Sequence, residues 1–123
     1  MIIALGSNVQ PETHIEKAKI KIDQAHKVLA WSVFQMTDAI GIISPPFLNG
    51  VVLIETDWAQ DRLKNWLRGI ESQCGRDHQS LNSITLDLDI VVWNGSVVDD
   101  SIFEKKFLEK MILEVNPNLR SLF

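Results

Sequence analysis

The sequence has little of several features that mark particular classes of protein. Cys74 is the only cysteine among 123 residues, which excludes an intramolecular disulfide and fits a reducing compartment. The net charge is −4 and no dense run of lysines occurs, which argues against a nucleic-acid footprint and a membrane surface. The apolar start at residues 1–6 carries no basic residue, unlike a signal peptide, and is too short for a membrane span. We therefore expect a cytoplasmic protein that binds neither nucleic acid nor membrane.

The composition is that of an ordinary globular protein. Hydrophobic residues make up 46% of the chain and charged residues 23%, so long disordered segments are not expected. A chain of this length buries roughly two-thirds of its unfolded surface. It contains no internal repeat, low-complexity tract or linker. We therefore expect one domain over residues 1–123.

Hydrophobic periodicity predicts alternating strands and helices. The predicted elements are a strand at 2–5, a helix at about 11–29, a strand at 31–40, a loop at 41–46, a strand at 47–55, a helix capped by Asp57 and stopped by Gly75, a strand within 83–93, a hairpin turn at Asn94-Gly95 with a short strand, and a helix capped by Ser101. Gly6-Ser7-Asn8 predicts a tight turn after the first strand. The order βαββαβ, with an added hairpin strand and C-terminal helix, indicates an α+β, ferredoxin-like antiparallel sandwich.

Two acidic residues lie two positions apart in the apolar, β-branched run 83–93. Side chains alternate along a strand, so Asp87 and Asp89 share one face, about 6.5 to 7 Å apart, while Leu86, Leu88 and Ile90 line the other. Neighbouring carboxylates repel unless they face water or a cation, and hard oxygen ligands favour Mg²⁺. The pair therefore indicates either a magnesium site or the wet face of an antiparallel strand.

Further motifs stand around this pair. They are Gly6-Ser7-Asn8, Phe47-Leu48-Asn49, Ile70-Glu71 with Gly75-Arg76, and Thr85-Leu86-Asp87-Leu88-Asp89-Ile90. In this order and spacing, from about residue 2 to 119, the chain resembles the 6-hydroxymethyl-7,8-dihydropterin pyrophosphokinase family. The resemblance implies a transferase of folate biosynthesis that moves pyrophosphate from ATP to the pterin alcohol and gives AMP.

The resemblance also implies roles for the acidic pair and for the residues that hold the pterin. Asp87 and Asp89 match the aspartates that bind two Mg²⁺ ions bridging the ATP phosphates, and they act as catalytic residues together with Arg76. The rings of Phe47 and Phe107 match the two that stack on the pterin. Asn49 matches the amide that reads the pterin edge, and Thr37 matches a further contact. A phenylalanine at such positions otherwise belongs to the core.

A third group of residues matches positions at the ATP site. It consists of Glu71, Arg76, His78, Ile90 and Lys105. On their own, a helical glutamate, an arginine just past a helix end and a loop histidine are usually solvent-facing, and the arginine also favours the helix dipole.

The chain departs from the family pattern on the ATP side. The loop 77–83 contains no arginine or tryptophan and is shorter than the family's catalytic loop. Ile84 and Lys105 stand where the family has arginines, and the family's Pro-His segment has no counterpart. A lysine neutralises a phosphate but does not fork onto it with two bonds. Activity is therefore expected to be weak or lost.

Three hypotheses remain open from the sequence. The first is a compact pyrophosphokinase using ATP and Mg²⁺. The second is a non-catalytic or altered relative that binds a pterin or a similar flat heterocycle. The third is an unrelated ferredoxin-like binding or association module. The sequence predicts no oligomeric state.

Overall fold

The computed structural model describes residues 1–39, 43–80 and 82–123. Within these residues the chain forms six strands, three α-helices and two 3₁₀ helices. The strands and α-helices are β1 (Ile2–Ser7), α1 (Pro11–Ala25), β2 (Lys27–Trp31), β3 (Gln35–Thr37), β4 (Phe47–Glu55), α2 (Gln60–Gln73), β5 (Asp87–Trp93), β6 (Ser96–Val97) and α3 (Lys106–Val115). The 3₁₀ helices are Asp100–Phe103 and Pro117–Leu122. No helix in the described part of the chain has both the length and the apolar character needed to cross a membrane.

The strands form one antiparallel sheet in the order β2-β4-β1-β5-β6, and β3 also pairs with β4. β1 therefore lies at the centre, between β4 and β5. Helices and an antiparallel sheet together confirm the α+β class.

Each face of the sheet packs against different helices. One face contributes Ile3, Leu5, Val52, Ile54 and Leu88, together with Leu86 just before β5, to a core with the apolar stripes of α1 and α2. The other face contributes Ile2, Val51 and Val91 to a core with α3 and the first 3₁₀ helix. Successive residues of β5 thus enter opposite layers, as the alternation of side chains along a strand requires.

Several local predictions are confirmed. β4 spans the predicted residues 47–55, and Pro11 opens α1. Asn94 and Gly95 have φ values of 50° and 81°, which a tight two-residue hairpin turn requires. Gly75 has φ 76°, and the N–H groups of Gly75 and Arg76 donate to Ser72 O and Glu71 O at 3.0 and 3.1 Å. These two bonds form a Schellman motif that ends α2.

Other boundaries were wrong. Helix α1 ends at Ala25 instead of residue 29, because the chain from Lys27 to Trp31 pairs with β4. The predicted strand 31–40 is instead β2 and β3, and residue 40 lies outside the described residues, as do residues 41 and 42 of the predicted loop.

The predicted helix caps were also misplaced. Ala59, not Asp57, precedes α2. Ser101 lies in a 3₁₀ helix, where its N–H donates to Asp99 Oδ1 at 3.0 Å, and α3 begins only at Lys106. Asp99 is therefore the N-cap of this 3₁₀ helix, because its carboxylate accepts from the second residue ahead.

Candidate active site

A cleft opens beside α3 on the face of the sheet that this helix covers. It collects residues that are far apart in the sequence. The sequence-predicted residues among its lining are Thr37, Phe47, Asn49, Asp87, Asp89, Lys105 and Phe107. We call this space the first cleft. The structure thus brings all four predicted pterin residues to the acidic pair.

Strand register explains how the first cleft is assembled. Gly6 of β1 pairs with Asn49 of β4 on one side and with Asp87 of β5 on the other. A Cβ atom at Gly6 would lie 2.9 Å from Asn49 Oδ1. Gly6 therefore lets the amide lie across the sheet, and the expected tight turn at this glycine was wrong because β1 continues through Ser7.

The Asn49 amide is held by its neighbours. Its Nδ2 donates to the hydroxyl of Thr37. Thr37 is brought there because β3 pairs with β4, which sets Thr37 opposite Phe47. Phe47 and Phe107 are both half-buried, and both line the first cleft.

The two aspartates face the cleft together, as the strand alternation predicted. Desolvation, and then the neighbouring Asp87 carboxylate, raise the pKa of Asp89 to about 7, and Asp99 and Glu71 act in the same direction. The Asp89 side chain is nevertheless exposed to the cleft. Water therefore screens part of this repulsion, so the direction of the shift carries the argument. A cation near the pair would relieve the repulsion.

The donor set fits Mg²⁺ held jointly with a ligand. No group of three or more histidine, cysteine or acidic side chains suited to a metal ion occurs in the described ranges 1–39, 43–80 and 82–123. Mg²⁺ is commonly held by one or two carboxylates together with substrate phosphates and water. Asp87 and Asp89 supply those two carboxylates.

A second cleft lies on the other side of the acidic pair. Asp87, Asp89 and Asp99 line both clefts. The sequence-predicted residues that line the second cleft with the pair are Glu71, His78 and Ile90. The structure therefore separates Lys105, which lines the first cleft, from the other residues predicted to bind the nucleotide.

Glu71 and Arg76 form a buried clamp next to the second cleft. Glu71 is 3% exposed, and its Oε2 accepts the Leu88 N–H at 2.9 Å. Arg76 Nη1 donates to Leu86 O at 2.8 Å and to Asp87 Oδ1 at 3.2 Å, and lies 3.7 Å from Glu71 Oε2. Neither side chain faces solvent as such residues usually do. The Schellman turn at Gly75, in which the Arg76 N–H donates to Glu71 O, brings Arg76 back beside the end of α2.

This clamp ties α2 to the strand that carries the acidic pair. Burial raises the pKa of Glu71, while the bond from Leu88 and the Arg76 charge oppose that rise. His78 Nε2 lies 3.9 Å from Glu71 Oε1. Arg76 is not among the described residues that line either cleft, so in this conformation it acts on Asp87.

Sequence reasoning missed several residues of the site. They are Gly6, Asp99, Lys64 and Arg68. The lysine and arginine lie one helical turn apart on α2, and that spacing was visible in the sequence. Nothing in the sequence alone showed that this face of α2 borders the acidic pair.

A comparison with protein families gives a match over most of the chain. The sequence model of the 7,8-dihydro-6-hydroxymethylpterin-pyrophosphokinase (HPPK) family matches residues 2–117.

Proposed function

The chain belongs to the 7,8-dihydro-6-hydroxymethylpterin-pyrophosphokinase family, and from this membership we propose that it transfers pyrophosphate from ATP to 6-hydroxymethyl-7,8-dihydropterin. Members of the family carry out pyrophosphoryl transfer in folate biosynthesis and use ATP with Mg²⁺. One observation carries the proposal for this chain. The first cleft contains two aromatic rings, an amide and the acidic pair in a single lining.

The proposed pterin site uses the rings for affinity and the amide for orientation. Phe47 and Phe107 stack on the flat heterocycle, and offset stacking contributes about 0.5 to 1.5 kcal/mol per ring beyond burial. Asn49 hydrogen-bonds to the pterin edge. The hydrogen bond from Asn49 to Thr37 holds the amide before the substrate binds. Gly6 leaves room for this position of the amide because it has no side chain.

The proposed chemistry is a direct displacement at phosphorus. The hydroxymethyl oxygen of the pterin bonds to the β-phosphorus of ATP. The bond from that phosphorus to the oxygen shared with the α-phosphate breaks, AMP leaves with this oxygen, and the hydroxyl proton passes to solvent. This reaction depends mainly on position and electrostatics, so the chain needs no covalent nucleophile.

The acidic pair would position the metal ions and the phosphates, and the Glu71–Arg76 clamp holds the acidic pair in place. Asp87 and Asp89 would hold the two Mg²⁺ ions that neutralise the phosphate charge in this reaction. Arg76 restrains Asp87 through its 3.2 Å bond, and Glu71 restrains the adjoining Leu88 backbone. In our proposal Glu71, His78 and Ile90 form the nucleotide side, and Lys105 approaches the phosphates from the first cleft.

We also assign the chain to the ferredoxin-like fold, as one cytoplasmic domain. The strand order β2-β4-β1-β5, with α1 after β1 and α2 after β4, supports this assignment.

The test of the function combines turnover and binding. AMP release from ATP and 6-hydroxymethyl-7,8-dihydropterin is measured with Mg²⁺, alongside calorimetry of pterin binding with and without α,β-methylene-ATP. We expect pterin binding in the micromolar range or tighter and slow AMP release. Failure of the pterin to bind under either condition would contradict the assignment.

A second candidate is a relative that binds the pterin without transferring pyrophosphate. The observation that favours it is the engagement of Arg76 with Asp87 and Glu71, together with a loop 77–83 that contains no arginine. An arginine aimed at a transferring phosphoryl group is worth about 10³ to 10⁵ in turnover. Tight pterin binding with no AMP release would establish this candidate.

A further inference from the structure

We propose that Lys64 and Arg68 of α2 bind the phosphate groups of the nucleotide and take over part of the role of the arginines that the loop 77–83 does not have. The inference rests on the proposed function, because it concerns the nucleotide side of the same site. It adds two residues that the family resemblance did not single out.

Helix α2 presents one charged stripe to the second cleft. Gln60, Lys64, Arg68 and Glu71 follow one another at steps of four, four and three residues, so they form one stripe along the helix. All four line the second cleft. The neighbouring stripe of Leu63, Leu67 and Ile70 is buried in the core. Core packing therefore fixes which face of α2 meets the cleft, and that face carries two cations.

Charges of opposite sign line the two sides of the second cleft. Its other side carries Asp87, Asp89 and Asp99, yet neither Lys64 nor Arg68 forms an ion pair with any residue that the structure describes. The cations and the acids thus line one space without closing it. A polyphosphate with bound Mg²⁺ fits such a space, because its metal side meets the carboxylates and its free oxygens meet the cations.

The other basic residues near the acidic pair are either engaged with protein groups or placed in the first cleft. Arg76 is 12% exposed in its side chain and bonds to Leu86 O and Asp87, and His78 lies next to Glu71. Lys105 lines the first cleft and not the second. Among the described residues, the second cleft is lined by one lysine, Lys64, and one arginine, Arg68.

The test is calorimetric titration of the full chain with α,β-methylene-ATP in the presence of Mg²⁺. The variant is Lys64→Ala/Arg68→Ala. The matched control is Lys110→Ala/Arg120→Ala, which removes the same charge from exposed positions outside both clefts. We expect the first variant to lose on the order of tenfold in affinity per residue and the control to lose less than twofold, since a charge-assisted hydrogen bond contributes about 1.5 kcal/mol or more.

Three further measurements distinguish direct contact with the phosphates from a general effect of the substitutions on the protein. The affinity for 6-hydroxymethyl-7,8-dihydropterin should be the same in all variants, because its proposed site is the first cleft. The loss for the nucleotide should shrink at high salt, since exposed charges are screened. The Lys64→Arg/Arg68→Lys variant should regain most of the affinity.

The outcomes distinguish this inference from the function on which it rests. Equal nucleotide affinity of the wild type and the Lys64→Ala/Arg68→Ala variant would overturn the role of these residues while leaving the pyrophosphokinase proposal intact. An equal loss in the Lys110→Ala/Arg120→Ala control would also overturn it, because net charge would then be the cause. A wild-type protein that binds the pterin but not the nucleotide would overturn both this inference and the catalytic proposal.

Discussion

The two clefts on either side of the acidic pair are built by different means. The first cleft is assembled by strand register, with Gly6 pairing with both Asn49 and Asp87. The second cleft is assembled by the charged face of α2 and by the Glu71–Arg76 clamp. The first depends on shape at the sheet centre, whereas the second depends on charges.

This difference indicates which half of the site tolerates amino-acid substitutions more easily. A strand residue in the first cleft, such as Gly6 or Asn49, is constrained by its strand partners, so a substitution there disturbs the sheet. An exposed cation on α2 can be gained or lost with little effect on folding. We infer that a chain whose loop 77–83 contains no arginine can adjust its nucleotide side while keeping its pterin side.

The largest effect is expected where the two clefts meet. Asp89→Ala should lower AMP formation by about 10³-fold or more, because a metal-binding carboxylate supports several kcal/mol of transition-state stabilisation. The measurement is single-turnover AMP release. The fold should persist, as checked by circular dichroism, and AMP formation at the wild-type rate would remove Asp89 from the catalytic residues.

The Glu71–Arg76 clamp beside the second cleft should contribute to the free energy of unfolding. Glu71→Ala should lower the free energy of unfolding by about 1 to 3 kcal/mol, because it leaves the buried Leu88 N–H without its partner. Glu71→Gln, which keeps an acceptor oxygen, should lose less. Urea unfolding measures both, with exposed Glu16→Ala as control. A loss no greater than that of the control would show that the clamp is dispensable.

Removing an aromatic ring should affect the first cleft alone. Phe107→Ala should weaken pterin binding by about 2- to 13-fold from lost stacking, and further from lost burial. Affinity for α,β-methylene-ATP should change less. Calorimetry of both ligands tests the contrast, and an equal loss for the two would erase the distinction between the clefts.

A methyl group added at Gly6 should displace the Asn49 amide. In Gly6→Ala the new Cβ would press on Asn49 Oδ1, so the amide must shift. The expected loss of pterin affinity is about fivefold, equivalent to one hydrogen bond of about 1 kcal/mol. Gly69→Ala is the matched control, because a Cβ there meets no atom within 4 Å. Unchanged pterin binding in Gly6→Ala would show that Asn49 does not read the pterin.

The smallest effect is expected in how the stability of the ligand-free protein depends on pH through the acidic pair. Desolvation and the neighbouring Asp87 carboxylate raise the pKa of Asp89 in the folded chain above its ordinary value of 3.8. The folded chain therefore keeps a proton that the unfolded chain releases, and stability falls as pH rises through the raised pKa, by an amount that water limits at this exposed side chain. Asp89→Asn should therefore raise the melting temperature at pH 8 and leave it unchanged near pH 4. A gain that is independent of pH would contradict this account.

Local sequence signals determined much of the outline. The alternation in residues 83–93 placed Asp87 and Asp89 on one face, because strand side chains alternate whatever the rest of the fold. Asn94-Gly95 and Gly75 marked their turns because their backbone angles are open mainly to such residues. The order of motifs also identified the family before any contact was visible.

Tertiary structure decided what local signals left open. The periodic apolar pattern of α1 would have continued to residue 29, but residues 27–31 pair with β4 instead. Glu71 and Arg76 look like surface residues in sequence, and only the packing of α2 on β5 buries them. The role of Gly6 depends on two strand partners more than 40 and 80 residues away. Side-chain period and turn angles are local properties, whereas burial, pairing and shared clefts depend on residues that only the folded chain brings together.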